Sequence, residues 1–121
     1  MSSRSKPDII RKLFAAYKSK ERRIAEDLLA DGFTFTSPYD DAIDKATYFE
    51  RCWSNSERIK THVLEKIFVE GDEAFVLYKC ITNDGNEFRN TEFFEFDGER
   101  IRYVNVFFGA TYKDGVFVKG Q

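Results

Sequence analysis

The chain has 121 residues, 42% of them apolar and 33% charged, with a net charge of −2, which is a globular composition long enough to make one core. Charges of both signs are scattered without a basic stripe, which argues against a nucleic-acid partner. No apolar run approaches the length of a membrane span, and the N-terminal MSSRSKPDIIRKLFAAYKSK has no uninterrupted apolar stretch, so neither a membrane segment nor a signal peptide is expected and the expected location is cytoplasmic.

Thirteen phenylalanines are many for this length and supply large apolar walls for a core, a cavity or a subunit interface. Cys52 and Cys80 have no CxxC or metal-ligand spacing, and each sits in an apolar stretch. They read as two buried free thiols.

The first element runs from about Pro7 to Lys18. Ile9, Ile10, Leu13, Phe14 and Tyr17 form one helical stripe, with Pro7 suited to the first turn and Asp8 and Lys18 matching the helix dipole. A second helix follows the break at Ser19, buries Ile24, Ala25, Leu28 and Leu29, and stops at Asp31-Gly32. Phe33-Thr34-Phe35-Thr36 alternates as a short strand that Ser37-Pro38 ends, and 39–43 reads as a loop. Asp44 is placed to cap a third helix carrying Tyr48, Phe49, Cys52 and Trp53, which Ser54-Asn55-Ser56 closes.

The remainder reads as strands: Thr61 to Glu70, Glu73 to Thr82, Glu87 to Asp97 and Arg100 to Ala110, separated by Gly71-Asp72, Asn83-Asp84-Gly85-Asn86 and Asp97-Gly98, with Tyr112 to Lys119 as a tail. Helices first and hairpin-linked strands afterwards predict an α+β fold with an antiparallel sheet, and no repeat or linker divides residues 1–121 into more than a single domain.

Side-chain parity assigns the faces. Between Glu87 and Asp97 the more apolar face holds Phe88, Asn90, Glu92, Phe94 and Phe96, so Asn90 and Glu92 are expected to point inward, where they need partners. Arg89 falls on the opposite face. In the next strand Ile101, Tyr103, Asn105 and Phe107 share one face, and Arg102, Val104, Val106 and Phe108 the other. Both are apolar enough to need covering. A bulge would exchange the two faces beyond it.

Two amphipathic helices, then Leu28-Leu29-Ala30-Asp31-Gly32-Phe33-Thr34-Phe35 and Ser37-Pro38, resemble the opening of NTF2-like domains. Phe88-Arg89-Asn90-Thr91-Glu92, the Asp97-Gly98 turn and Val106-Phe107-Phe108-Gly109 resemble the SnoaL-like members of that group, which includes ketosteroid isomerase. The resemblance covers nearly the whole chain in element order. It implies an α+β cone in which N-terminal helices pack on a strongly curved, mainly antiparallel sheet, with a pocket at the open end and homodimers paired through the outer sheet face. That pairing is expected to cover Val104, Val106 and Phe108, which would otherwise leave an exposed apolar patch on the outer face.

The likeness to ketosteroid isomerase is partial. Ser37 stands where that enzyme has a basic aspartate before the proline, Leu13 matches its oxyanion tyrosine with Tyr17 one turn later, and Glu92 matches its second acid. Fold alone does not decide among the group's activities.

The resemblance therefore implies a pocket for a small apolar or amphipathic molecule. One expectation is a cofactor-independent proton-transfer enzyme of isomerase, cyclase or hydrolase class. The other is a non-catalytic ligand-binding or protein-interaction module on the same scaffold. Glu92 is the candidate catalytic acid or base, because a carboxyl among phenylalanines is desolvated and its pKa raised. Tyr17, Tyr48, Trp53, Asn90 and Asn105 are candidate ligand-binding residues, each with core packing or backbone satisfaction as the plainer role. His62, the single histidine, begins a strand among charges and reads as a surface or structural residue. Asp40, Asp41 and Asp44 lack the pattern of a calcium loop and are explained by a solvated loop and a helix cap. No cofactor and no metal are expected.

Overall fold

The computed structural model describes residues 5–119. Helix α1 (Lys6–Ser19) begins with Ser5, whose hydroxyl accepts from the Asp8 amide at 3.2 Å, and ends at Lys20 in a left-handed conformation. It buries Ile9, Ile10, Leu13 and Phe14, the face that the helical spacing predicts. Helix α2 (Arg22–Leu28) stops three residues earlier than Asp31-Gly32 suggests. Leu29 stays buried but already belongs to strand β1 (Leu29–Ser37).

The segment expected to be a loop is strand β2 (Asp40–Asp44), hairpinned onto β1. Pro38 sits in the turn, where its missing N–H costs no ladder bond, and the Ser37 hydroxyl accepts from the Tyr39 amide at 3.1 Å. Asp44 caps α3 (Lys45–Arg51) as expected, its carboxylate accepting from the Thr47 amide at 2.9 Å. A 3-10 helix, Trp53–Arg58, follows where the sequence suggested only a stop.

Strands β3 (Ile59–Glu70), β4 (Glu73–Thr82), β5 (Glu87–Asp97) and β6 (Arg100–Lys113) form antiparallel neighbours, and the expected tail folds back as β7 (Val116–Phe117) on β6. The order is β2-β1-β6-β5-β4-β3, with β1 and β6 parallel, so the sheet is mixed, mainly antiparallel and open.

The register stacks side chains in cross-strand rows. On the concave face these are Ile67–Val76–Glu92–Val106, then Leu64–Tyr78–Asn90–Phe108, then His62–Cys80–Phe88–Thr111. On the convex face one row is Phe68–Phe75–Phe93–Asn105. Two irregularities in the β5–β6 ladder matter. Tyr103 opposes Glu95 while Ile101 opposes Phe96, so Arg102 is an extra residue that exchanges the faces of β6. Val104 and Val106 are therefore buried on the concave side, which corrects the expectation that they, with Phe108, form the outer face. The second lies at Gly109, where a Cβ would stand 2.1 Å from the Arg89 carbonyl oxygen, so only glycine permits this close approach.

Candidate functional site

Between the helices and the concave face of the sheet lies a cavity of about 520 Å³. Its sheet wall is Tyr78, Asn90 and Phe108 of one concave row, His62, Cys80 and Phe88 of the next, and Glu92 with Val106, faced by Leu13, Phe14 and Tyr17 of α1, Phe33 and Phe35 of β1, and Tyr48 of α3. The volume suits a small organic molecule, and the lining is mostly apolar with a few polar groups, the usual makeup of a ligand site.

The polar groups form a connected chain. Tyr78 donates its hydroxyl to Glu92 Oε1 at 2.6 Å, and Asn90 Nδ2 donates to the Tyr78 oxygen at 3.1 Å. Asn90 Oδ1 in turn accepts from the Gly109 amide at 3.3 Å, which fixes the amide's orientation. Glu92 keeps some accessible surface, but that surface looks into the cavity, and burial pushes its carboxyl up to about 7 against the lowering effect of the Tyr78 hydrogen bond. Tyr78 is itself held well above the ordinary phenol range, by burial first and by the adjacent Glu92 charge second. The proton between them therefore stays on the phenol, and Glu92 is the group that titrates.

The other phenol, thiol and imidazole groups of the lining are held neutral. Burial raises Tyr17 and Tyr48, pushes Cys52 up to about 11 and Cys80 up to about 12, and lowers His62 to about 4 with help from the Lys18 charge. Although His62 and Cys80 are cross-strand neighbours, these directions oppose a thiolate–imidazolium pair and hence thiol nucleophilic chemistry. Among the described residues no three His, Cys, Asp or Glu side chains converge as a metal site. At neutral pH Glu92 is the cavity group poised between its two protonation states.

Four of the six residues singled out from the sequence line this cavity: Glu92, Asn90, Tyr17 and Tyr48. Tyr17 donates to the Cys52 carbonyl at 3.1 Å, which ties α1 to the end of α3. Trp53 stands behind the wall, its ring edge-on to Tyr17 with centroids 5.2 Å apart. Asn105 lies on the convex face in register with Phe93, because the Arg102 bulge turned it outward.

His62, read from the sequence as a surface or structural residue, is a wall residue. Its ring lies 5.2 Å from Phe14 and 5.7 Å from Tyr78, and its buried Nδ1 has no hydrogen-bond partner among the described residues. Tyr78 escaped the sequence reading, although the signal was present. Counting back through the Asn83–Asn86 turn places it opposite Asn90 on the apolar face, where a phenol needs a partner.

The family comparison agrees with this architecture. Residues 10–104 match the SnoaL-like domain, so the chain belongs to the SnoaL-like family. Among solved structures, an NTF2-like protein of unknown function from Cytophaga hutchinsonii is 20% identical, with a TM-score of 0.72 over 89% of this chain and 94% of that one. A proposed ketosteroid isomerase from Kribbella flavida is 17% identical, with a TM-score of 0.72 over 87% and 78% of the two chains. A proposed polyketide cyclase from Sinorhizobium meliloti is 19% identical, with a TM-score of 0.68 over 83% and 94%. Likeness at this level defines the fold. No curated protein matches the chain significantly. No helix among the described residues is long and apolar enough to cross a membrane.

Proposed function

We propose that the chain binds a small apolar or amphipathic molecule in the cavity and that Glu92 serves there as a proton-transfer acid or base without a cofactor, as an isomerase, cyclase or hydrolase would require. One observation carries this reading: a carboxyl on the cavity wall, hydrogen-bonded by Tyr78 at 2.6 Å among phenol, thiol and imidazole groups held neutral, with burial raising it to about 7. A base works best when its pKa lies near the working pH, because it is then both available and strong enough. Ionised, Glu92 takes a proton from an acidic C–H or O–H of the ligand; protonated, it returns one. Tyr78 and Asn90 hold the carboxyl in place and share its charge. Tyr48, which makes no hydrogen bond to another described residue, is available to donate to a ligand oxygen.

A second reading, a non-catalytic binding or interaction module, is favoured by Ser37, which lines the cavity where ketosteroid isomerase has an acid before its proline. We further propose a homodimer through the convex face. Phe68, Phe75 and Phe107 are 68%, 47% and 53% exposed there, beside the edge-to-face rings of Phe93 and Tyr103.

The test of the enzymatic reading is hydrogen–deuterium exchange of a panel of fused-ring ketones with acidic α-carbons in D2O. Wild type should exchange at least one bound ketone, and Glu92→Gln should bind it equally while exchanging it at least about 100-fold more slowly. Binding without exchange supports the module, and exchange unaffected by Glu92→Gln removes Glu92 from the chemistry.

A further inference from the structure

We propose that the ligand is a singly charged amphipathic anion, with its apolar body in the cavity and its carboxylate- or sulfonate-like head on Arg58 at the opening. This rests on the reading of the cavity as a small-molecule site and adds the chemical class of its occupant.

The cavity's charged lining residues are Asp40, Arg51, Arg58 and Glu92. Asp40 and Arg51 neutralise each other in an ion pair of 2.9 Å, with the aspartate side chain 8% exposed. Glu92 is engaged by Tyr78 deep on the wall. Arg58 differs: among the described residues no carboxylate stands within ion-pair distance of it, and it is exposed while still lining the cavity, which places it at the opening. Its charge nevertheless reaches inward, since it lowers the Cys80 thiol against the larger effect of burial.

The segment that presents Arg58 is fixed. The Asn83 amide donates to the Arg58 carbonyl at 3.0 Å, and Asn83 Nδ2 donates to the Glu57 carbonyl at 2.8 Å, which pins the end of the 3-10 helix to the β4–β5 turn. The nearby Asp84 does not answer the arginine, because its carboxylate accepts from the Thr82 hydroxyl and the Asn86 amide. A guanidinium on a fixed backbone beside an apolar cavity is well suited to a planar anionic head. Asn55, which lines the same stretch, can donate a further hydrogen bond. A neutral ligand of the same shape would leave the arginine facing water.

The experiment compares 1-anilinonaphthalene-8-sulfonate with N-phenyl-1-naphthylamine, which has nearly the same aromatic body without the charge. Fluorescence titrations use wild type, Arg58→Gln, Arg58→Lys and, as a control on the convex face, Arg102→Gln. Wild type should bind the sulfonate more tightly than the neutral probe. Arg58→Gln should weaken the sulfonate about tenfold and leave the neutral probe unchanged, Arg58→Lys should restore most of the loss, and Arg102→Gln should change neither. Two results overturn the anion site alone: both probes binding wild type equally, or the sulfonate answering to Arg102→Gln and not to Arg58→Gln. If neither probe binds, the cavity reading falls together with the anion site.

Discussion

Replacing Glu92 by Gln removes a titration while keeping shape and hydrogen-bonding capacity, and the cost of holding that carboxyl in the fold sets the size of the effect. Folding moves Glu92 from an ordinary 4.5 to about 7. A carboxyl with a raised folded pKa binds its proton more tightly in the native state, so the native state loses stability as pH rises between these values. At about 1.4 kcal/mol per pH unit the full displacement is roughly 3 kcal/mol, and solvent in the open cavity brings the expectation to about 2–3 kcal/mol.

His62 acts in the opposite sense over an overlapping window. Its folded value is lowered to about 4, so its contribution is present at neutral pH and lost as pH falls from about 6.5 toward 4. The two partly cancel in the wild type, and the difference between wild type and Glu92→Gln isolates the carboxylate. Urea unfolding followed by circular dichroism from pH 4 to pH 8.5 should show the variant close to wild type at the acid end and about 2–3 kcal/mol more stable at the alkaline end, with most of the change complete by pH 7. A pH-independent difference, or one that shrinks as pH rises, would refute the claim that the fold strains to keep this carboxyl.

Tyr78→Phe removes the hydrogen bond that lowers Glu92, so the Glu92 midpoint should move above 7 in an NMR titration; a downward move would mean that the phenol does not stabilise the carboxylate. Gly109→Ala forces a Cβ against the Arg89 carbonyl oxygen and should cost about 3 kcal/mol in chemical denaturation, whereas near-neutrality would show that the bulge relaxes freely. Sedimentation equilibrium at micromolar concentration should give twice 14.2 kDa for wild type and a monomer for Phe75→Glu/Phe107→Glu; a monomeric wild type would end the dimer proposal.

Much of this fold is legible in the sequence because its signals are local. Asp44 before a helical stripe, and Gly71-Asp72 and Asp97-Gly98 between alternating runs, fix α3 and the β3–β6 hairpins to within a few residues. Parity along β5 places Asn90 and Glu92 on the concave face, since no bulge interrupts their pairing with β4. What escapes is set by long-range pairing. The extra residue Arg102 reverses β6, sends Asn105 outward and brings Val104 and Val106 in, and nothing in the local alternation marks it. Strand β2 exists because β1 offers it an edge, so a segment with loop composition became a hairpin arm. His62 stands among charged residues in sequence, which suggested a surface or structural role, yet its neighbours in space are Phe14, Tyr17 and Tyr78.

Whether the Glu92 carboxyl gains and loses its proton at physiological pH is read by a carbon-detected NMR titration of its side chain in the wild-type protein. Desolvation on the cavity wall should give one transition with a midpoint near 7. A midpoint at the ordinary carboxylate value of 4.5 would contradict it, and the SnoaL-like cavity would then be read as a binding scaffold.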